Sequence, residues 1–321
     1  MDDRILIVLT LDCERPTAET DVLASGPPDR AAARQWTRSF EELCNSHGYP
    51  VTYFIHPELA DTDADEFLEF EANGACLGLH LHPWRQDFER YPFEMGSLNA
   101  RAAREAISEA SLTWSRGFGR KPEYFRPGAL SANDTTFPVL TELGFLGGSV
   151  SIPGRVFPTV FAAWAGAALD PHRAHESFRL LEGMLPFANM PVSVDTSNVQ
   201  WQDGRWFHWD LRPDFDNPDI GGRVRRVLKQ TLARSPKVPV LNVLTHNDHD
   251  FADLTDPVSA RMHETLRQIR EACNELGLRP EGATMKHVAT AVLAHEGAST
   301  VLERRSGRIM FSSSINKSFD L

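Results

Sequence analysis

The sequence predicts an α/β fold, in which strands alternate with helices around one core. Short apolar runs recur at residues 5–9, 51–55, 77–81 and 240–244, and polar residues follow each run. Helical spacing of apolar residues fills the intervals between them. With 321 residues, of which 41% are hydrophobic and 24% charged, the chain is long enough for one large domain and short for two.

The predicted helices follow from apolar stripes and from the residues that stop them. In chain order, the first stripes contain Trp36, Phe40, Leu43 and Cys44 before Gly48; Phe67 and Phe70 before Gly74; and Ala103, Ile107, Ala110 and Trp114. A further helix is predicted over about 134–143 and ends at Gly144. The clearest stripe, 258–276, ends at Gly277, which favours a left-handed cap.

Two carboxylates, Asp12 and Glu14, follow the first apolar run one residue apart. The period of two along a strand sends both to one side, so their charges need a cation or a shared proton nearby. A bound metal is the simplest relief. Cys13, between them, is predicted to point to the opposite face as a buried small side chain. Acidic residues after a strand are often only solvated, so this pair alone does not decide for a site.

Other strand ends carry complementary groups. His80 and His82 end the run 77–81 on one face, and two imidazoles with a carboxylate are a common set of ligands for zinc. Arg126 follows an aromatic strand, and His246 ends the run 240–244 where general acids are often found. Because the carboxyl ends of parallel barrel strands converge on one mouth, we expect these side chains to lie close together.

The order of these four segments resembles the polysaccharide deacetylase family, known also as the NodB homology domain and carbohydrate esterase family 4. The matching segments contain Asp12-Cys13-Glu14, His80-Leu81-His82, Arg126-Pro127-Gly128 and Leu244-Thr245-His246. The first fits the subgroup with an Asp-x-Glu motif. The resemblance implies a distorted (β/α) barrel of about seven strands, and an enzyme that removes acetyl groups from sugars.

The resemblance also implies a role for each matching residue. Asp12 is then the catalytic base and His246 the general acid, while Arg126 lies beside the base. Glu14, His80 and His82 are the implied ligands of a divalent metal, for which we predict Zn²⁺. Predicted substrate contacts are Trp84, His56, Pro127, Gly128 and Asp248. His56 ends the run 51–55 and is also a candidate replacement ligand.

The chain departs from the family pattern at three places. The family spaces its two histidines four apart, but the residue four after His80 is Trp84. The fourth motif usually contains an acid, and residues 145–150 contain none; Asp195 is a candidate replacement. The segment 151–235 is a long insertion rich in Trp, Phe and Pro, which we expect to shape substrate choice. The predicted organisation is thus one barrel over 1–295 with this insertion, followed by an extension or tail over 296–321.

The resemblance implies a metal-dependent hydrolase that removes an N-acetyl (acyl) group from an amino sugar or glycan intermediate. Two alternatives remain open: a hydrolase of cyclic amides or ureides similar to allantoinase, and a degenerate barrel that binds sugars without catalysis. A small closed cavity would favour the former alternative over a sugar. Exposed tryptophans would favour a sugar substrate.

Composition and charge limit the classes of binding partner that we expect for this chain. The net charge of −11, with dispersed basic residues, argues against a nucleic-acid binder. No apolar run is long enough to cross a bilayer, so membrane contact would be peripheral. The sequence has no secretory signal pattern at its start, and its four cysteines form no CxxC pair. We therefore expect free thiols and a cytoplasmic protein.

Overall fold

The computed structural model describes residues 3–19, 26–216, 219–297, 301–305, 308–312 and 318–320. Its helices are α1 (Arg30–Ser46), α2 (Pro57–Thr62), α3 (Ala64–Ala72), α4 (Pro83–Gln86), α5 (Ala100–Phe118), α6 (Thr136–Glu142), α7 (Ile220–Arg234), α8 (Pro257–Glu275) and α9 (Met285–Ala294). Its strands are β1 (Arg4–Cys13), β2 (Val51–Ile55), β3 (Cys76–Leu81), β4 (Tyr124–Pro127), β5 (Gly147–Gly148), β6 (Val156–Phe157), β7 (Ala162–Ala163), β8 (His172–Arg173), β9 (Ala188–Asn189), β10 (Val194–Gln202), β11 (Arg205–Asp210), β12 (Val240–His246), β13 (Arg279–Ala283), β14 (Val301–Arg305), β15 (Arg308–Ser312) and β16 (Ser318–Asp320).

A curled, mainly parallel sheet forms the centre of the molecule. Seven strands pair in parallel in the order β12-β1-β2-β3-β4-β5-β9, which confirms the predicted fold class. β13 also pairs in parallel with β1, and β8 adds an antiparallel edge to β9. The chain just after β9 returns to β12, where the Ser193 amide donates to the Asn242 carbonyl at 3.2 Å. This contact curls the sheet toward closure.

The two faces of β1 explain where the polar residues lie. Ile5, Ile7 and Leu9 belong to the large core between the sheet and its helices, whereas Leu6 and Val8 belong to a smaller core inside the curl. The smaller core also contains the buried face of α9. Because successive side chains alternate, the positions that follow Leu6 and Val8 on the inner face are even-numbered. Asp12 and Glu14 therefore continue the inner face, and Cys13 packs into the outer core as predicted.

The predicted helices form, with ends set by local chemistry. The Asp29 side chain accepts from the Ala32 amide at the start of α1, and Asn99 does the same for Ala102 in α5. Gly119 takes a left-handed conformation at the end of α5. Helix α6 is shorter than the predicted 134–143, because Asn133 and Thr135 are engaged in a side-chain turn before it.

The segment 151–235 divides between two sheets. Its strands β8 and β9 join the barrel sheet, while β10, β11, β6 and β7 form a separate antiparallel sheet. The last strands, β14 to β16, pair as a third antiparallel sheet within the predicted extension, of which residues 298–300, 306–307, 313–317 and 321 lie outside the described part. The division into barrel, insertion and extension stays a prediction. Within the described residues, no helix is long and apolar enough to span a membrane.

Candidate active site and metal centre

The strand ends bring the predicted site residues to one mouth of the barrel. Asp12 is the register partner of His246 on neighbouring strands, and His80 is the partner of Arg126. All four are at or near the carboxyl ends of parallel strands, where loops converge in barrels of this type. The side chains of Asp12, Glu14, His80 and Arg126 are almost fully buried.

Asp12 and Arg126 form a buried ion pair. The Arg126 Nη1 donates to Asp12 Oδ1 at 2.7 Å, and its Nη2 donates to Thr10 Oγ1 at 2.9 Å. The guanidinium also lies over the Phe54 ring, with 4.2 Å between its central carbon and the ring centroid. Burial lowers the pKa of Arg126, although Asp12 acts in the opposite direction. The hydrogen bond from Arg126 fixes the direction of the Asp12 carboxylate.

Glu14 meets both histidines at a single carboxylate oxygen. Its Oε1 lies 3.1 Å from His80 Nε2 and 3.1 Å from His82 Nε2, and the ligand atoms of the three residues lie within 4.8 Å of one another. Burial raises the pKa of Glu14, but the two imidazoles lower it well below its usual value. The predicted ligand set is therefore assembled as a group.

The other ring nitrogens decide whether this group fits a metal. His80 Nδ1 lies 3.1 Å from the Arg126 carbonyl, and His82 Nδ1 lies 2.6 Å from Glu94 Oε1. Both partners are acceptors, so each Nδ1 carries a proton. When both rings are neutral, as metal ligands must be, each turns an Nε2 lone pair toward Glu14. Two lone pairs and a carboxylate oxygen repel one another unless a cation lies between them. The donor set fits a divalent metal.

Three further residues hold this group, and sequence reasoning missed them. Glu94 accepts from His82 and, at 2.8 Å, from Trp84 Nε1. Arg85 Nη1 donates to Glu14 Oε2, the oxygen that the histidines do not contact. Asn247 exchanges hydrogen bonds with the Glu14 backbone, at 2.9 and 3.2 Å. Burial lowers the pKa of His82, but Glu94 and Glu14 raise it to about 10.

The Arg126-Pro127-Gly128 turn packs directly against the His82 ring. A Cβ at position 128 would overlap the ring atoms of His82, so only glycine fits there. The next two residues, Ala129 and Leu130, have φ values of 51° and 52°, in the left-handed region that residues with side chains rarely adopt. Strain of this kind is tolerated where surrounding contacts require the conformation.

His246 is paired with a carboxylate from the segment between β11 and α7. Its Nδ1 lies 3.5 Å from Asp214 Oδ2, and Asp214 Oδ1 accepts from Thr245 Oγ1 at 2.9 Å. Burial lowers the pKa of His246, but Asp214 and then Asp12 raise it to about 9. Asp248 completes this cluster, and burial raises the pKa of its carboxyl. Asp195, the candidate for the missing acid, instead binds Arg226 at 2.7 Å.

The remaining predicted substrate contacts lie in different settings. Trp84 packs edge-on against His82, with 5.5 Å between centroids, so it supports the ligand group. His56 is fully buried against the Glu58 carboxylate, burial lowers its pKa, and it lies outside the group of Glu14, His80 and His82. Trp201 and Trp206, 58% and 48% exposed, contact each other across the β10–β11 hairpin with their rings tilted by 52°.

The sequence of residues 24–147 matches the family model described as polysaccharide deacetylase. This part of the chain is similar to the polysaccharide deacetylase family. The predicted enzyme class, a hydrolase acting on carbon–nitrogen bonds other than peptide bonds, is thereby confirmed. A comparison with curated proteins found no match.

Solved structures share the fold. A protein of Mycobacterium smegmatis assigned to the polysaccharide deacetylases aligns with a TM-score of 0.55 and 14% identity over 94% of each chain. Puue allantoinase aligns with a TM-score of 0.56 and 14% identity over 91% of each chain. A further protein assigned to the deacetylases, from Pseudomonas aeruginosa PAO1, aligns with a TM-score of 0.53 and 14% identity over 90% of this chain and 91% of its own.

The deacetylase pattern is thus rearranged at two points in this chain. His82, two residues after His80, lies against Glu14, and Trp84 at the family's histidine position holds Glu94. The second point is that the carboxylate beside His246 is Asp214, which lies far along the chain from residues 145–150. No spacing in the sequence connects Asp214 to His246, because a loop between β11 and α7 carries it.

Proposed function

We propose that the protein is a metal-dependent deacylase, which hydrolyses the N-acetyl group of an amino sugar or glycan intermediate. The observation that carries this proposal is the adjacency of a buried base and an acid. Asp12 and His246 are register partners, and each has a residue of opposite charge beside it. Amide hydrolysis needs this combination, because water must lose a proton and the leaving nitrogen must gain one.

The chain's own groups divide the work as follows. Asp12 accepts the proton of the attacking water, and the hydrogen bond from Arg126 holds the Asp12 carboxylate in place. His246 donates a proton to the leaving amine, and Asp214 keeps that imidazole protonated and oriented. Glu14, His80 and His82 are the residues that would hold the divalent ion, Zn²⁺ in our proposal. When bound, the ion supplies positive charge that acidifies water and stabilises charge on the acyl oxygen.

A second function is favoured by one contact. Arg85 lies on Glu14, so part of the charge on this carboxylate is balanced without a metal. Such a site would suit metal-free hydrolysis of a ring amide, with His82 protonated.

The cytoplasmic location stays a prediction, which the four buried free cysteines support.

The test compares acetate release from N-acetylated amino sugars with ring opening of allantoin, before and after chelation. Our proposal predicts acetate release that chelation abolishes and Zn²⁺ restores. Ring opening unaffected by chelation would replace it with the second function. Glycan binding without either reaction would indicate a degenerate barrel.

A further inference from the structure

A cluster of buried arginines lies next to the acid side of the site. Arg155 and Arg212 are 5% and 8% exposed, and both contact the carboxylate of Asp210, which ends β11 and is 4% exposed. A third arginine, Arg223, is also 5% exposed, and its Nη1 donates to the Asp210 carbonyl at 3.4 Å. Two buried guanidinium groups therefore lie on one buried carboxylate, and a third lies on the backbone carbonyl of the same residue.

The two arginines on the Asp210 side chain are unequally satisfied. Arg212 makes three side-chain hydrogen bonds to the carboxylate, at 2.8 to 3.1 Å. Arg155 Nη2 is 3.7 Å from Asp210 Oδ2, too far for a hydrogen bond, and within the described ranges its Nε has no partner. The Arg155 guanidinium also lies over the Phe157 ring, at 4.7 Å from its centroid. The Asp210 carboxylate therefore accepts hydrogen bonds from Arg212 but none from Arg155.

The cluster is connected to the catalytic groups through Arg212. Only Pro213 lies between Arg212 and Asp214, which contacts His246. The charge of Arg212 contributes to the shifted pKa values of two other arginines. Burial is the main cause that lowers the pKa of Arg126, and the charge of Arg212 lowers it further. Burial and then the charge of Arg212 lower the pKa of Arg155 to about 9. The positive charges of Arg126, Arg212 and Arg155 thus extend from the base toward the separate four-stranded sheet.

A buried guanidinium with few partners is costly, because desolvation of its charge is not repaid. If Arg155 served only to attach the separate sheet, an apolar side chain against Phe157 would do so at lower cost. Arginine in such a place fits a ligand with oxygen atoms that accept hydrogen bonds from the guanidinium fork. The unpaired charge is positive, so the ligand is an anion.

We propose that Arg155 and Arg212 bind an anionic group of the substrate, a carboxylate or a phosphate, beside the acyl group that is cleaved. This inference rests on the proposed deacylase function and deepens it, since it selects acidic or phosphorylated amino sugars over neutral ones. Arg205 offers a matched control, because it lies over the same Phe157 ring, at 5.4 Å, but is exposed.

The first experiment uses inorganic phosphate as the probe and measures its binding to the purified protein by calorimetry. Wild type and Arg205→Met should bind phosphate, and Arg155→Met should bind it at least about tenfold more weakly. Arg155→Met should keep or raise the melting temperature, because methionine replaces a poorly paired charge. Arg155→Gln provides a second variant if Met disturbs the fold. Equal phosphate binding by all proteins, or none by wild type, would overturn the proposal.

The second experiment measures kcat/KM for a neutral N-acetylated amino sugar, its phosphate ester and its uronic acid. Wild type should prefer one of the two anionic substrates, which identifies the group, and Arg155→Met should lose that preference by about tenfold or more. Turnover without any anionic preference would sink the anion site but leave the deacylase. Arg155-dependent phosphate binding without deacylation of any substrate would support the anion site but contradict the deacylase function.

Discussion

The base side and the ligand side of the site treat a buried carboxylate in two different ways. Asp12 has the Arg126 guanidinium at 2.7 Å, and that cation is held in turn by Thr10. Glu14 places one oxygen at 3.1 Å from the Nε2 atoms of two imidazoles whose Nδ1 atoms contact other acceptors. On the base side, the charge of the Asp12 carboxylate is balanced by Arg126 of the same chain. The ligand side is an arrangement that a cation would complete.

This difference means that the two sides can be damaged separately. A change at the base should stop catalysis without releasing the metal. A change at the ligands should release the metal and thereby stop catalysis as well. Burial makes each effect large, since neither side has bulk water to replace a lost partner.

The largest expected effect is at the base. Asp12→Asn keeps the shape and a hydrogen bond to Arg126 but removes the group that accepts the water's proton. We expect kcat to fall by about 10²- to 10⁴-fold. Metal content, measured in parallel by elemental analysis, should stay near that of wild type. A variant with full activity would remove Asp12 from the mechanism.

The next effect is on the ligand side and acts through packing. Gly128→Ala would place a methyl group against the His82 ring and force that imidazole to move. We expect metal affinity to fall by about 10- to 100-fold, as for other residues that orient a ligand. Gly119→Ala is the control, because that helix end has open space and only the backbone strain of a positive φ. Equal metal affinity in Gly128→Ala and wild type, by competition with a chelator, would contradict the geometry.

The smallest effect is a change of pH profile on the acid side. The pKa of His246 is raised to about 9, so its protonated form persists to that pH. The stability that this pair contributes is complete below about pH 6.5 and is lost as the pH rises through 9. Asp214→Asn should move the alkaline limb of kcat toward lower pH, because the main carboxylate that raises the pKa is lost.

Asp195→Asn serves as the control for this pH profile. Asp195 is a buried aspartate of the same long segment, but its partner is Arg226 and not His246. Its replacement should leave the alkaline limb unchanged. If the limb stays in place in Asp214→Asn as well, His246 is not the acid whose ionisation limits the rate.

The motif residues could be placed from the sequence because strand geometry determines them. The period of two put Asp12 and Glu14 on the inner face and Cys13 on the outer one, and parallel strand ends converge. The strands and helices of the barrel follow equally local rules, such as the stripe that became α8. Their existence was predictable, although the ends of α6 were not.

The supporting residues could not be found in this way. Glu94, Arg85 and Asp214 reach the site from loops or a short helix, with positions set by contacts across the fold. The acid beside His246 illustrates this limit, because Asp195 and Asp214 both lie in the segment 151–235. Only the packed structure distinguishes the one beside His246 from the one beside Arg226.

The most direct test of the account is the metal content of the purified protein, with no metal added during preparation. Wild type and Asp12→Asn should each contain about one equivalent of a transition metal, Zn²⁺ by our proposal, and the His80→Ala/His82→Ala variant should contain little. Folding of the double variant is checked by circular dichroism. Absence of metal from folded wild type, or equal metal in the double variant, would contradict the claim that Glu14, His80 and His82 form a metal site.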